Sequence, residues 1–443
     1  MTWLSQNKVR PGAYFNFTSV ERPDVSIGDR GIATIPIELD WGKTGELIEV
    51  YSDELLNGDS LAKIGFTAFD ENSKLVNIML QYCYKVLLYR TNTAGVKATT
   101  TIGDLTITAK YTGTFGNNIT VAVVANGETL FDVSTYVNGS QVDKQTVAEI
   151  AELTANDFVE FSGTGDLSAN AGKPLTGGTN GTAVAKATYY PLYLALLETA
   201  NFQTLGCPDL IDDDATLKAN IVTFVNNQRE TEEKSIQGVV ANYPTADYEG
   251  IISVKNGVYI NSVQFSKEEM AGVVAAMTAG SQINQSNTNR KINGATGLVT
   301  TYKNSDIIAA LQNGEFVFTS NQRGEIKVEQ DINSLHTFTP KKNYDFSKNR
   351  VIRILDDFKT MSKDKWEQSY MGKVDNNEDG RALFKQDICA NCLERQRVGA
   401  LQNFEEDDIT VSKGQAIDAV LMEAWLQPVD AMEKLYVDCK VAG

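Results

Sequence analysis

Hydrophobic and polar positions alternate with a period of two at both ends of the 443-residue chain. Near the start, turn residues around Pro11 precede a segment in which Phe15 and Phe17 alternate with Tyr14 and polar neighbours. This pattern predicts an extended N-terminal arm over residues 1–23. Residues 31–39 and 82–90 then predict two strands. The first is expected at the edge or end of a sheet, because Pro36 has no amide hydrogen to donate.

The composition changes at about residue 91. Residues 91–185 are rich in Thr and Gly and contain no arginine. Alternating runs joined by Asn126-Gly127 and Asn138-Gly139 predict β-hairpins, because Asn-Gly supplies the two left-handed residues of a type I′ turn. A short helix is predicted over residues 143–153. The segment is interpreted as an inserted β-sandwich-like domain over 93–185, which is expected to fold by itself.

Residues 186–342 alternate between helical and strand patterns, which is typical of an α/β domain. Ser266 and Glu269 form a capping box, so a helix is expected to begin there and end at Gly280. The other predicted elements are helices over 189–200 and 214–230, a strand over 234–243, a hairpin of 251–254 with 258–260, and strands 316–319 and 326–328 around a turn at 321–324.

The last hundred residues predict an α+β domain. Two helices are expected over 344–370 and 378–401, followed by strands over 415–427 and 434–441, with residues 428–430 as a flexible hinge between them. In the final strand one face consists of apolar side chains: Leu435, Val437, Cys439 and Val441. Both amphipathic chain ends could pair inside their own domain or add as strands to a neighbouring subunit, and the pattern alone leaves both open.

Composition excludes several classes of function. With 40 basic and 57 acidic side chains, the net charge of −17 argues against direct contact with nucleic acid or anionic lipid. No apolar run is long enough for membrane insertion, and the first residues lack the apolar core of a secretory signal. Five cysteines are too few for a disulfide scaffold. His336 is the single histidine, which disfavours enzymes that use histidine but leaves carboxylate-only enzymes open.

Three local motifs resemble chemical sites, but each one lacks a residue or a structural position that the chemistry requires. Cys389 and Cys392 have thioredoxin-like spacing but lie inside a predicted helix rather than at its start. Residues 375–380 match the start of an EF-hand loop, but Gln386 replaces the bidentate glutamate. Residues 42–44 match the end of a phosphate-binding loop whose first glycine is missing. We therefore predict no catalytic residue, no cofactor and no metal site.

Four segments, in order along nearly the whole chain, resemble contractile-tail sheath proteins of bacteriophages and phage-tail-like particles, especially the Gram-positive prophage branch. The matching segments are residues 9–14 with 30–42, the Gly-x-x-Gly-Asn turn at 113–119 with its exit at 175–178, residues 328–335, and residues 427–436.

The resemblance implies a structural protein, not an enzyme. It implies six-membered rings stacked as a helical sheath around a tail tube, with baseplate and tail terminator proteins as further partners. Contraction would drive the tube through a bacterial envelope, after assembly in the cytoplasm of the producing cell. It also implies that both arms pair with neighbours, through Pro11, Tyr14, Phe15, Phe17, Leu435, Tyr436, Val437, Cys439 and Val441.

The domain organisation expected from the resemblance is α+β and multidomain. Residues 24–92 with 186–342 would form the middle α/β domain, 93–185 the inserted β-sandwich, and 343–443 with the N-terminal arm the C-terminal sheath domain. Two alternatives stay open. One is the sheath of a headless tail-like bacteriocin or a related injection system, and the other is a cytosolic carboxylate-only enzyme.

Overall fold

The computed structural model describes residues 30–441. The predicted N-terminal arm, with Pro11, Tyr14, Phe15 and Phe17, lies outside the described residues. Between residues 30 and 441, no helix has the length and apolar character needed to cross a membrane.

The first described segment supplies three strands of a seven-stranded sheet. Strand β3 lies between β1, which is parallel to it, and β2, which is antiparallel. The predicted strand over residues 82–90 begins only at Lys85. In chain order the elements are β1 (Ile32–Ile37), β2 (Leu47–Tyr51), α1 (Ser52–Asn57), α2 (Ser60–Ile64), α3 (Lys74–Leu80) and β3 (Lys85–Arg90).

Residues 92–183 form two stacked antiparallel sheets around one apolar core, which is a β-sandwich. One layer has the order β10-β6-β5 and the other β11-β7-β8-β9, and β4 and β12 pair at the base of the domain. The strands are β4 (Asn92–Thr93), β5 (Lys97–Ile102), β6 (Leu105–Thr112), β7 (Ile119–Asn126), β8 (Leu130–Val137), β9 (Ser140–Val147), β10 (Val159–Ser162), β11 (Asn170–Pro174) and β12 (Thr182–Ala183).

The turn at residues 138–139 is confirmed, with φ of 50° at Asn138 and 82° at Gly139. The helix predicted over 143–153 is wrong. Strand β9 pairs with β8 from Ser140 to Val147, so the ladder overrides the local helical pattern, and only one 3₁₀ turn follows at Ile150–Glu152.

Residues 186–328 complete the central sheet and add two small ones. The sheet order is β19-β15-β14-β13-β1-β3-β2, and the almost completely buried helix α6 packs on one face. The elements are α4 (Lys186–Leu197), β13 (Thr204–Gly206), α5 (Ala215–Glu230), β14 (Gln237–Ala241), β15 (Ile251–Val254), β16 (Val258–Ile260), β17 (Val263–Phe265), α6 (Lys267–Gly280), β18 (Ala295–Leu298), α7 (Asn304–Gln312), β19 (Glu315–Phe316), β20 (Phe318–Ser320) and β21 (Ile326–Val328).

One prediction in this sheet is confirmed in part and another fails. Pro36 lies near the end of β1, which is one of the two positions expected for it, but β1 is a central strand rather than an edge strand. It is tolerated because β13 pairs with β1 only at Ala33 and Thr34, so no partner on that side needs a donor from Pro36. The predicted hairpin of 251–254 with 258–260 does not form. The buried Asn256 side chain bonds the backbone of Phe318, so the chain passes from the central sheet into a separate small sheet.

The C-terminal part packs two helices against a two-stranded sheet. The predicted first helix is shorter than expected and ends in a π-helical turn at Trp366–Tyr370. Residues 434–441, predicted as a strand, have no regular secondary structure in the single subunit. The elements are α8 (Asn349–Lys365), α9 (Glu378–Arg397), β22 (Ile409–Lys413) and β23 (Val420–Ala424).

The sandwich is joined to the middle of the molecule by the side chain of Trp41. This residue precedes the insertion by some fifty positions, yet its indole is fully buried in the sandwich core. The ring centroid lies 5.2 Å from that of Tyr111 and 5.1 Å from that of Phe115, and its Nε1 donates to the Ala62 carbonyl at 3.0 Å. The inserted domain therefore packs against the rest of the subunit and is not held by its two linkers alone.

Candidate assembly interface

The last segment of the chain is fixed to the body by a buried ion pair. The Lys348 ammonium, only 5% exposed, contacts the Glu433 carboxylate and lies 3.7 Å from the Asp430 carboxylate. Glu433 also accepts hydrogen bonds from Thr288 Oγ1 at 2.7 Å and from Gln330 Nε2 at 2.6 Å. We call these contacts the Lys348–Glu433 anchor.

Electrostatics favour the charged form of both partners in the anchor. Burial alone would raise the pKa of Glu433, but hydrogen bonds from Lys348, Thr288 and Gln330 together lower it below its usual value. Burial alone would lower the pKa of Lys348, but the Glu433 carboxylate raises it above its usual value. The pair therefore stays ionised over the physiological pH range, and neither group can leave the other without exposing a buried charge.

The backbone just before the anchor is also held. Gln402 N donates to Gln427 O at 3.0 Å, and Val429 N donates to Ala400 O at 2.9 Å. These bonds fix residues 427–429 against the turn that follows α9, so the expected hinge at 428–430 is tied to the body. Glu433 is the last residue held by the anchor.

Beyond the anchor, residues 434–441 project from the body, and we call them the C-terminal arm. Within residues 30–441 no backbone of the arm pairs with a strand. Its apolar side chains face solvent in the single subunit: Leu435 is 88% exposed, Tyr436 88%, Val437 68% and Val441 94%, and Cys439 is exposed as well. Within residues 30–441 this apolar alternating segment has no folding partner.

The β22–β23 hairpin offers edges to which an arm could pair. Among the described residues neither strand has a second neighbour, so each presents unpaired backbone groups. The inner face, with Val411 and Met422, packs against the apolar cluster of α8 and α9. The outer face leaves Leu421 and Trp425 exposed. The sequence missed β22, because its polar, acidic approach at 405–408 is typical of a loop.

Three sheath-domain families match successive parts of the chain. The phage tail sheath protein beta-sandwich domain matches residues 93–180, the central domain matches 183–334, and the C-terminal domain matches 341–442. The phage-like element PBSX protein XkdK of Bacillus subtilis is 35% identical, and the match covers 98% of each chain. The chain belongs to the phage tail sheath protein family.

Solved structures show the same relationship. The sheath tail protein of Desulfitobacterium hafniense is 42% identical, with a TM-score of 0.80 over 96% of this chain and 99% of that one. The contracted helical sheath of the anti-feeding prophage shares only the fold, with 11% identity and a TM-score of 0.57 over 98% of this chain and 99% of that chain. The protein is thus a structural subunit of a contractile tail sheath, not an enzyme, and a part of a phage tail or tail-like particle that self-assembles.

In the sheath subunit the motifs that resembled chemical sites have structural roles. Cys389 and Cys392 are buried in the interior of α9, and burial raises the pKa of the Cys392 thiol to about 12. Asn377, within the EF-hand-like segment, caps α9 by accepting from the Gly380 amide at 2.8 Å. Lys43, within the segment that resembles a phosphate-binding loop, forms an exposed pair with Glu46. In the part of the chain from 30 to 441, no cluster of three metal-ligating side chains is present.

Buried ion pairs join α8 to the rest of the sheath subunit, and no local sequence pattern predicts them. Arg229 on α5 forms a bidentate pair with Asp356 at 2.7 and 2.8 Å. Arg395 on α9 donates to Asp357 at 2.6 Å. We call these pairs the α8 ionic contacts. They tie α8 to the middle of the molecule on one side and to α9 on the other.

Proposed function

We propose that the chain assembles as six-membered rings that stack helically around a tail tube, with the baseplate at one end and tail terminator proteins at the other. Contraction of this sheath would drive the tube through a bacterial envelope. The support is membership of the sheath family together with an apolar arm that has no partner among the described residues of its own chain. The same subunit design would serve an infectious phage or a headless tail-like particle.

We propose strand addition as the link between subunits. The C-terminal arm of one subunit would pair with a free edge of the β22–β23 hairpin in a neighbour, with Leu435, Val437, Cys439 and Val441 on one face. The N-terminal residues Pro11, Tyr14, Phe15 and Phe17 would supply a second arm. Each backbone hydrogen bond contributes about 0.5–1.5 kcal/mol net, so one link is modest but repeats at every subunit.

The domain boundaries belong to the same proposal. Residues 93–185 would face outward, and 24–92 with 186–342 would form the middle domain. Residues 343–443 with the arm at 1–23 would lie next to the tube. Assembly would take place in the cytoplasm of the producing bacterium, before release of the particle.

Truncation after Glu433 tests the arm directly, because it keeps the Lys348–Glu433 anchor and removes the exposed residues that follow. We expect the truncated subunit to melt with the same cooperativity as the full chain and to form no tubes in negative-stain electron microscopy. A matched control replaces Leu130, an exposed apolar residue of the sandwich, with Ser and should still form tubes. Normal tubes from the truncated chain would refute strand addition by this arm.

A further inference from the structure

Helix α7 is only partly covered by the rest of the subunit. Of its apolar residues only Ala310 is buried, while Ile308 is 48% exposed. A helix of nine residues has little stability of its own in water and depends on packing of its apolar face. The exposed apolar side of α7 therefore lacks a partner within the described chain.

The uncovered side of α7 forms one wall of an open groove. The groove has a volume of about 520 Å³. Opposite α7 lies Phe338, 46% exposed, with its ring edge-to-face against Tyr344 at 5.6 Å and 77°. We call this feature the α7 groove, and its apolar lining consists of Ile308, Leu311, Ile332, Leu335, Phe338 and Tyr344.

The C-terminal arm begins at the rim of this groove. Glu433 and Lys434 form part of the groove wall, and the Lys434 ammonium lies 6.0 Å from the centroid of the Tyr344 ring. The seven residues from 435 to 441 span at most about 23 Å when extended, at about 3.3 Å per residue. Any subunit that binds the C-terminal arm must therefore lie close to the groove.

We propose that the α7 groove is a docking site for a second copy of this chain, the same copy that holds the arm. The inference rests on the proposed strand addition, which brings that copy to the arm's exit point. The exposed apolar side chains of Ile308 and Phe338 line the same groove as Glu433 and Lys434, where the arm leaves the body, and Leu435 follows directly. Such surfaces supply the central contacts of stable interfaces.

Charge substitution in the full chain tests the groove. Ile308→Asp places a carboxylate in the groove at a half-exposed position, so the fold should be kept and the melting curve unchanged. We expect tube formation to fall by about tenfold or more, the change produced by about 1.4 kcal/mol of interface free energy. Leu192→Asp, at an exposed position on α4 outside the groove, is the matched control and should assemble normally. Normal assembly of Ile308→Asp would overturn the proposal.

Cysteine labelling separates the outcomes. Cys439 is exposed and the other four cysteines are buried, so Ile308→Cys in the full chain adds a second reactive thiol, in the groove. Peptide mapping of the maleimide adducts reads position 308 separately from Cys439. We expect maleimide labelling of free subunits and protection in tubes made from this chain alone. Protection that appears only after tail tube protein is added would show that the groove binds the tail tube, and it would reject docking of a second copy of this chain. If arm truncation leaves assembly intact while Ile308→Asp blocks it, strand addition fails but the groove stands as a self-interface.

Discussion

Replacing Trp41 by Ala should loosen the β-sandwich more than any other part of the subunit. The buried indole removes about 200 Å² of surface from water, worth about 5 kcal/mol at about 25 cal/mol per Å². Replacement of a buried aromatic side chain typically costs about 3–5 kcal/mol. The Ala62 carbonyl also loses its donor. We therefore expect a loss of about 4–6 kcal/mol.

Hydrogen exchange of unassembled subunits measures this effect locally, because amides of β5, β6 and β7 report opening of the sandwich. Trp41→Phe keeps a ring but removes the Nε1 hydrogen bond, so we expect an intermediate loss. Trp425→Ala, at an exposed indole on the β23 side, should change the stability by less than about 0.5 kcal/mol. A loss below about 1 kcal/mol in Trp41→Ala would refute the role of this ring as part of the sandwich core. The same reasoning predicts that an isolated 93–185 fragment is less stable than the insertion in the full chain.

Three further predictions follow from buried contacts. Because the folded-state pKa of Glu433 is lowered, the anchor's stabilisation is present above pH about 4.5 and lost as pH falls through the folded pKa. Proteolysis within residues 427–433 should accelerate in that acidic range, and Glu433→Gln should flatten this pH dependence. Gly113→Ala should lower the melting temperature far more than Gly127→Ala, since both have positive φ but a Cβ at Gly113 would lie 1.7 Å from the Asp40 carbonyl oxygen. Arg395→Met should lower the free energy of unfolding in urea by about 3–5 kcal/mol, because it leaves the buried Asp357 carboxylate without its charged partner. Arg397→Met breaks an exposed pair and should lower it by less than about 1 kcal/mol.

Features that depend on neighbours in sequence could be predicted. The Ser266–Glu269 capping box is confirmed because both of its hydrogen bonds close within one turn. The turn at 138–139 is confirmed because its backbone angles are set by its own two residues. The alternating pattern of residues 434–441 was visible in the sequence, whereas the exposure of these side chains in the single subunit was left open by the pattern and is seen only in the structure.

Features that depend on partners distant in sequence could not be predicted. The local pattern at 143–153 is helical, but β8 supplies a ladder that makes Ser140–Val147 a strand. Nothing near Lys348 in the sequence indicates a pair with Glu433, 85 positions away. The α7 groove likewise combines segments that only the fold brings together.

Under the proposed strand addition, the anchor is the point at which mechanical load on the arm enters the subunit during contraction. Lys348 is the N-cap residue of α8, so a pull on the arm is transmitted from Glu433 into the start of that helix. The α8 ionic contacts then transmit the tension to α5 and α9. The force would act along the axis of α8 and would not pull a loop away from the surface. In this arrangement the arm is a short linker attached to a rigid helix. The length of chain after Glu433 sets how far two neighbouring subunits can separate before the strand pairing between them breaks.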